Sequence, residues 1–211
     1  MEILTYIFML LALLCFGLRS YKLSLGFYVL NTLVLVALFA ILAGEYHASE
    51  LSHWAITSFV TKAVLVPAIL FYTLKKAGEP NESEPIGGFL FSIVIACGVS
   101  IGVAVIFAPV FEPFAMIKNS LLLKASIFVF MIGLSFFILR TSFFKQIIGY
   151  CLIEHGIHLS LALNAYNASA LAEIGIVSDA IFCVIVMCVL SLKYRAIFGS
   201  FSNVEATHLR G

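Results

Sequence analysis

The chain has 211 residues, 63% of them hydrophobic and only 11% charged, with a mean hydropathy of +1.13 and a net charge of +1. Soluble domains hold roughly 45–50% apolar and about 25% charged residues, so a water-soluble fold is excluded, and no room is left for a separate soluble domain. A spanning helix takes about 20 apolar residues, which bounds the chain at seven or eight spans joined by short loops.

Apolar runs predict helices at 3–18, 23–43, 54–74, 87–108, 120–139, 146–166 and 175–192. The first run is short. Its basic residues, Arg19 and Lys22, follow it, the reverse of a signal peptide, so it reads as a retained helix. Residues 45–53 read as a mildly acidic loop. Gly78-Glu-Pro-Asn-Glu-Ser-Glu-Pro85 is a polar linker, and Pro109 and Pro113 bracket a further break. The fourth helix carries no charge but contains Gly98-Val-Ser-Ile-Gly102, a GxxxG spacing that predicts close helix packing. Cys15, Cys97, Cys151, Cys183 and Cys188 all sit inside apolar runs, with no CxxC pair, and read as buried small hydrophobes.

Seven spans put Arg19, Lys22, Lys75, Lys76, Arg140, Lys145, Lys193, Arg195 and Arg210 on one side of the membrane and Lys118 on the other. That asymmetry predicts an all-α, polytopic integral membrane protein with its N-terminus outside and its C-terminus cytoplasmic. An even number of spans would scramble the bias.

Ionisable residues at bilayer depth are costly and usually face a bundle interior or a water path. Lys62, Glu154 and Asp179, left unpaired, would together cost on the order of 8–10 kcal/mol, so they need partners. Lys62 lies near the middle of the third helix. Ser58 shares its face, Thr61 precedes it, and Pro67 leaves the Ala63 carbonyl without its helical donor. The alternative for Lys62, snorkelling to an interface, is hard from mid-depth. Lys124, near the outer end of the fifth helix, is better placed to snorkel.

The sixth helix carries the densest signal, Tyr150-Cys-Leu-Ile-Glu154-His155-Gly-Ile-His158. Glu154 and His158, four residues apart, share a face with Tyr150 one turn earlier; His155 lies about 100° round the helix from Glu154. Burial disfavours the charged form of carboxylate and imidazole alike, which poises such groups to take and release protons. A metal site is the competing reading, but the spacing is not HExxH and the two imidazoles diverge on one helix. A structural hydrogen-bonded pair is the other. Asp179, near the outer end of the seventh helix, has the alternative reading of an N-terminal helix charge favoured by the macrodipole. No Gly-rich phosphate loop, nucleophile elbow or basic patch is present, so neither aqueous catalysis nor nucleic-acid binding is expected.

The stretches 145–159 (Lys-Gln-Ile-Ile-Gly-Tyr-Cys-Leu-Ile-Glu-His-Gly-Ile-His-Leu) and 173–187 (Glu-Ile-Gly-Ile-Val-Ser-Asp-Ala-Ile-Phe-Cys-Val-Ile-Val-Met) closely resemble the E subunit of hydrogenase-4-type complexes. The resemblance continues through 19–28, 58–67, 198–204 and 209–211. The last three predicted helices are also similar to the K subunit of respiratory complex I. There an acidic residue follows the Ile-Gly-x stretch, where this chain has Cys151, so Glu154 matches by helix face and Asp179 by position. The resemblance implies one transmembrane domain over 1–211. Within it, 1–76 hold the first three helices, 77–86 a cytoplasmic linker, 87–119 the fourth helix and an outer loop, 120–195 the K-like three-helix unit and 196–211 a cytoplasmic tail. It also implies a non-catalytic membrane-arm subunit of a group 4 [NiFe] hydrogenase or formate hydrogenlyase, in a bacterial or archaeal inner membrane. Antiporter-like membrane subunits and a peripheral hydrogenase arm are the expected partners; the nickel–iron site and iron–sulfur clusters are expected in those partners and no cofactor in this chain. Glu154, His158, Lys62, Asp179 and His155 are then the expected proton-path residues. A structural adaptor that uses its charges for inter-subunit pairing, and an independent transporter, are the alternatives; the missing internal repeat argues against the last.

Overall fold

The computed structural model describes residues 1–78, 81–82, 87–166 and 170–202, without the side chains of 170–173. Parts of the predicted linker and tail, including Arg210, lie outside the described residues. The helices are α1 (Glu2–Gly17), α2 (Tyr21–Tyr46), α3 (Ser49–Ser58), α4 (Val66–Ala77), α5 (Phe89–Phe111), α6 (Ser120–Leu139), α7 (Phe143–Asn164) and α8 (Ala170–Phe198). A π-helical segment, Phe59–Leu65, joins α3 to α4 in one rod, so the described residues form seven helical rods. Beyond two isolated backbone bridges and a 3-10 turn at Glu112–Phe114, all regular structure among the described residues is α- or π-helical. Five rods are long and apolar enough to cross a membrane: those of α2, α3–α4, α5, α6 and α8. The first rod is only 16 residues long, and α7 is diluted by Lys145, Glu154, His155 and His158.

Three local expectations are corrected. The predicted loop 45–53 is almost all helix: α2 runs to Tyr46, His47 turns the chain in the left-handed region (φ 48°), and α3 begins at Ser49. Pro109 does not end α5, which continues to Phe111; a proline near a helix end forfeits one hydrogen bond where the ladder is already finishing. The GxxxG of α5 packs against nothing among the described residues, since a Cβ at Gly98 or Gly102 would meet no atom within 4 Å. The buried stripe of α5 is instead Ser92, Ala96, Ser100, Ala104 and Ala108.

The tightest helix pair is α6–α7. A Cβ on Gly133 would lie 2.7 Å from the Gly149 carbonyl, and one on Gly156 would lie 2.7 Å from the Ser126 carbonyl. Backbone-to-backbone approach of this kind needs glycine and is how membrane helices gain van der Waals contact where lipid offers no hydrophobic drive. It holds α7 deep in the bundle, with 15 of its 22 residues buried.

The connections sort onto two ends. At one, the α1–α2 turn meets the linker (Glu82 N to Arg19 O, 3.1 Å) and the α6–α7 turn meets the chain beyond α8 (Phe143 N to Phe201 O, 3.1 Å). At the other, Ile117 N bonds Leu163 O at 2.9 Å, Tyr46 faces Tyr166, and Asn119 reaches the Met1 sulfur. Successive rods therefore alternate in direction.

Candidate functional site

The site is built from α7, α2 and the π segment. Pro67 has no N–H, and the helix before it is wound to five-residue spacing, with Val66 N bonded to Thr61 O. π-bulges are rare and concentrate at functional positions. This one carries Lys62, whose side chain is 2% exposed. Lys62 Nζ lies 3.0 Å from Glu154 Oε1 and 3.0 Å from His158 Nδ1. An ammonium has only donors, so His158 accepts at Nδ1 and carries its proton on Nε2. Phe39 and Trp54 wall the imidazole at ring distances of 5.2 and 5.3 Å. Lys62 thus occupies the position between Glu154 and His158 that a bound cation would need.

The cluster is under-satisfied. Glu154 Oε1 is close to Lys62 in charge yet receives no well-aligned hydrogen bond, and Trp54 Nε1, Ser58 Oγ and His158 Nε2 have no hydrogen-bond partner among the described residues. A buried polar atom in that condition costs about 1–3 kcal/mol. Thr61 bonds back to its own helix at Thr57 O, 2.6 Å, and does not join Lys62.

His155, one residue after Glu154, faces α2. Its Nδ1 is 2.8 Å from Asn31 Oδ1 and its Nε2 is 3.3 Å from Thr32 Oγ1, and the ring stacks on Tyr28 (5.1 Å, 12°). Asn31 Nδ2 donates to Phe8 O at 2.7 Å, which leaves Oδ1 to accept from His155. The Thr32 hydroxyl also lies 3.0 Å from the Tyr28 carbonyl. If His155 is neutral, that hydroxyl turns to donate to Nε2; if His155 is protonated, Nε2 donates to the hydroxyl, which turns to the carbonyl. Either state keeps its hydrogen bonds.

Of the residues expected from sequence, Lys62, Glu154 and His158 converge directly, and His155 lies beside them on the α2 side. Asp179 does not join them: it is exposed on α8 and forms no ion pair among the described residues. Sequence reasoning missed the α2 side entirely. Tyr21, Ser24, Tyr28, Asn31 and Thr32 are all buried on one face, and their three-to-four-residue spacing in an apolar helix is the signal that would have found them.

Sequence reasoning also missed a second buried charge cluster where the basic connections gather. Arg140 Nη1 is 3.4 Å from Glu82 Oε2, with both side chains fully buried. Arg140 also donates to the Phe16 carbonyl and lies over the Phe16 and Phe89 rings. Lys145 Nζ donates to Leu18 O (2.5 Å), Ser24 Oγ (2.6 Å) and Cys15 O (3.4 Å). Burial pushes the Glu82 carboxyl above its ordinary value of 4.5, against the opposing pull of Arg140 and Lys145, and burial lowers Arg140.

Among known proteins, the chain is 36% identical over 204 residues to the hydrogenase-4 component E of Escherichia coli K12, a match covering 96% of this chain and 94% of that protein. The hydrogenase-4 component E proteins of E. coli O157:H7 and Shigella flexneri match to the same extent. No family model and no solved structure matches. At that identity over nearly the full length of both chains, this protein belongs to the hydrogenase-4 component E family.

Proposed function

We propose that this chain is a non-catalytic, multi-pass membrane subunit of a hydrogenase-4-type complex, and that its buried cluster contributes part of a proton-translocation path coupled to electron transfer. All seven rods then span the bilayer, with the N-terminus outside and the C-terminus cytoplasmic. The observation that carries this reading is Lys62 Nζ at 3.0 Å from both Glu154 and His158. Such a cation can pair with the carboxylate or lean on the imidazole, and the unpartnered atoms around it mean that no single arrangement is fully bonded. Proton arrival at Glu154 releases Lys62 toward His158; proton departure draws it back. The nickel–iron and iron–sulfur chemistry belongs, on this reading, to partner subunits. Glu154→Gln in the intact complex is expected to abolish proton translocation in inverted vesicles while leaving subunit composition unchanged. Normal translocation by the assembled variant would end the proposal.

A second reading, a structural adaptor between antiporter-like subunits, is favoured by Asp179. Asp179 lies five residues inside the apolar stretch that starts at Ile174 and is exposed on the bundle's surface. A carboxylate there cannot face lipid without a cost of a few kcal/mol, so a neighbouring subunit is expected to cover it. Asp179→Asn should then loosen a neighbouring membrane subunit on purification with the surviving complex fully coupled. Retention of every subunit would remove the support for this role.

A further inference from the structure

A polar seam leaves the Lys62 cluster and runs along the α2–α7 interface to the end of the bundle where the basic connections gather. On α2, Tyr21, Ser24, Tyr28, Asn31 and Thr32 are each 1% exposed or less. Intervals of three and four residues keep them on one face, turned to Lys145, Cys151 and His155 of α7. In a helix that is otherwise apolar, a buried face this polar serves no packing purpose that leucine or alanine would not serve better.

The contacts along the seam are close. His155 meets Thr32 at 3.3 Å and stacks on Tyr28. The Tyr28 hydroxyl interacts with the Cys151 thiol. One turn back on α2, Ser24 Oγ bonds the Cys15 carbonyl and accepts from Lys145 Nζ at 2.6 Å. Lys145 and Arg140 both grip the last turn of α1 by its carbonyls, Lys145 at Cys15 and Leu18 and Arg140 at Phe16. Arg140 then holds Glu82, which is the only carboxyl among the described residues of the linker. Glu82 Oε1 is buried with no hydrogen-bond partner among the described residues. The linker is pinned here at its backbone too, by Glu82 N to Arg19 O and the Ser20–Asn81 bridge.

We propose that this seam is the second half of the proton path, in which Ser24, Tyr28 and His155 connect the Lys62–Glu154–His158 cluster to Glu82, the carboxyl that exchanges protons with water at the linker end. The proposal rests on the proton-path reading above and adds its direction and its terminus. Glu82 takes one proton from water and passes one inward. Each hydroxyl or imidazole on the way accepts a proton at one lone pair and gives up one, so only bonds to hydrogen are made and broken and each group returns to its starting state. Lys145 acts as a positioning residue: by donating to Ser24 Oγ it holds that oxygen at the α1–α2–α7 junction. Burial raises the Glu82 carboxyl above its ordinary value, and Arg140, Lys145 and Arg19 are the charged groups that face it among the described residues.

The test uses the intact complex in inverted vesicles, with proton translocation measured per hydrogenase turnover. Tyr28→Phe keeps the ring stacked on His155 and removes only the hydroxyl, while Glu82→Gln keeps the linker's hydrogen-bonding shape and removes the titratable proton. Both are expected to lower translocation by roughly tenfold or more with turnover and subunit composition retained. Glu82→Asp, which keeps a carboxylate for Arg140, is expected to retain translocation and to shift its pH profile without moving the pH profile of turnover. Wild-type translocation in Tyr28→Phe and Glu82→Gln, alongside a dead Glu154→Gln, overturns the seam and leaves the central cluster standing. Wild-type translocation in all three overturns both. An unmoved pH profile in Glu82→Asp overturns the terminal role of Glu82, including the case in which Glu82→Gln loses function only by releasing the linker.

Discussion

Two clusters of buried charge, Lys62–Glu154–His158 and Glu82–Arg140–Lys145, solve the same electrostatic problem in opposite ways. At the linker end the cations have more partners: Lys145 donates to three oxygens, and Arg140 has a carbonyl, a carboxylate and two aromatic rings, although its Nε has no hydrogen-bond partner among the described residues. Most of those partners are buried backbone and loop groups, which fixes the cluster as a clamp on the α1–α2 and α6–α7 turns. The central cluster has no such cage. Lys62 has two side-chain partners and sits on a π segment, with four polar atoms nearby unsatisfied. The difference teaches that burial alone does not mark a functional charge. A cation gripped by many partners holds a structure, whereas one shared between two side chains can change partner.

The largest expected effect is at the centre. Lys62→Met strands Glu154 without its counter-charge, and breaking a buried pair from one side costs about 3–5 kcal/mol. Unfolding measurements in detergent should show that loss, and Lys62→Met combined with Glu154→Gln should recover most of it. A single variant as stable as wild type would show that water already compensates Glu154. Arg140→Met at the other end is expected to cost less, about 1.5–3 kcal/mol for its charged hydrogen bonds, because Lys145 and Arg19 still face the freed Glu82. If Arg140→Met proves the more damaging of the two, the clamp and not the centre dominates stability.

The smallest expected effect is a pH slope. The Glu82 carboxyl is raised in the folded protein above its ordinary 4.5, so the folded state binds its proton more tightly than the unfolded state does. That contribution to stability is fully present below about 4.5 and is lost as pH rises through the folded value. Unfolding midpoints measured upward from pH 4.5 should therefore fall, and Glu82→Gln should flatten that part of the curve. An unchanged slope would assign it to other carboxyls.

Much of the central cluster was legible without coordinates. Lys62, Glu154 and His158 are rare residue types at membrane depth, and four-residue spacing put the last two on one face. Pro67 marked the broken backbone beside Lys62, though not its rewinding into a π segment. The α2 seam was not legible in the same way, because Ser, Thr, Asn and Tyr are tolerated on many faces of a membrane helix and only a neighbour decides which face is interior. Glu82 was hidden for a related reason: a glutamate among prolines and glycines reads as solvated linker until a buried arginine from another loop reaches it. Asp179 went the other way, since its depth suggested an interior that the chain alone does not provide.

By itself, then, the sequence determined a membrane protein made of apolar helices, the side on which its basic residues gather, and the helix on which its chemistry is concentrated, because composition and periodicity act within one segment. Only the tertiary structure decided that Lys62 meets both Glu154 and His158, that α2 turns a polar face to His155 and Lys145, and that the linker carboxyl is buried against Arg140. Those pairings join residues up to 124 positions apart, a separation that no pattern within one segment can encode, while glycines 133, 149 and 156 hold α7 close against α6.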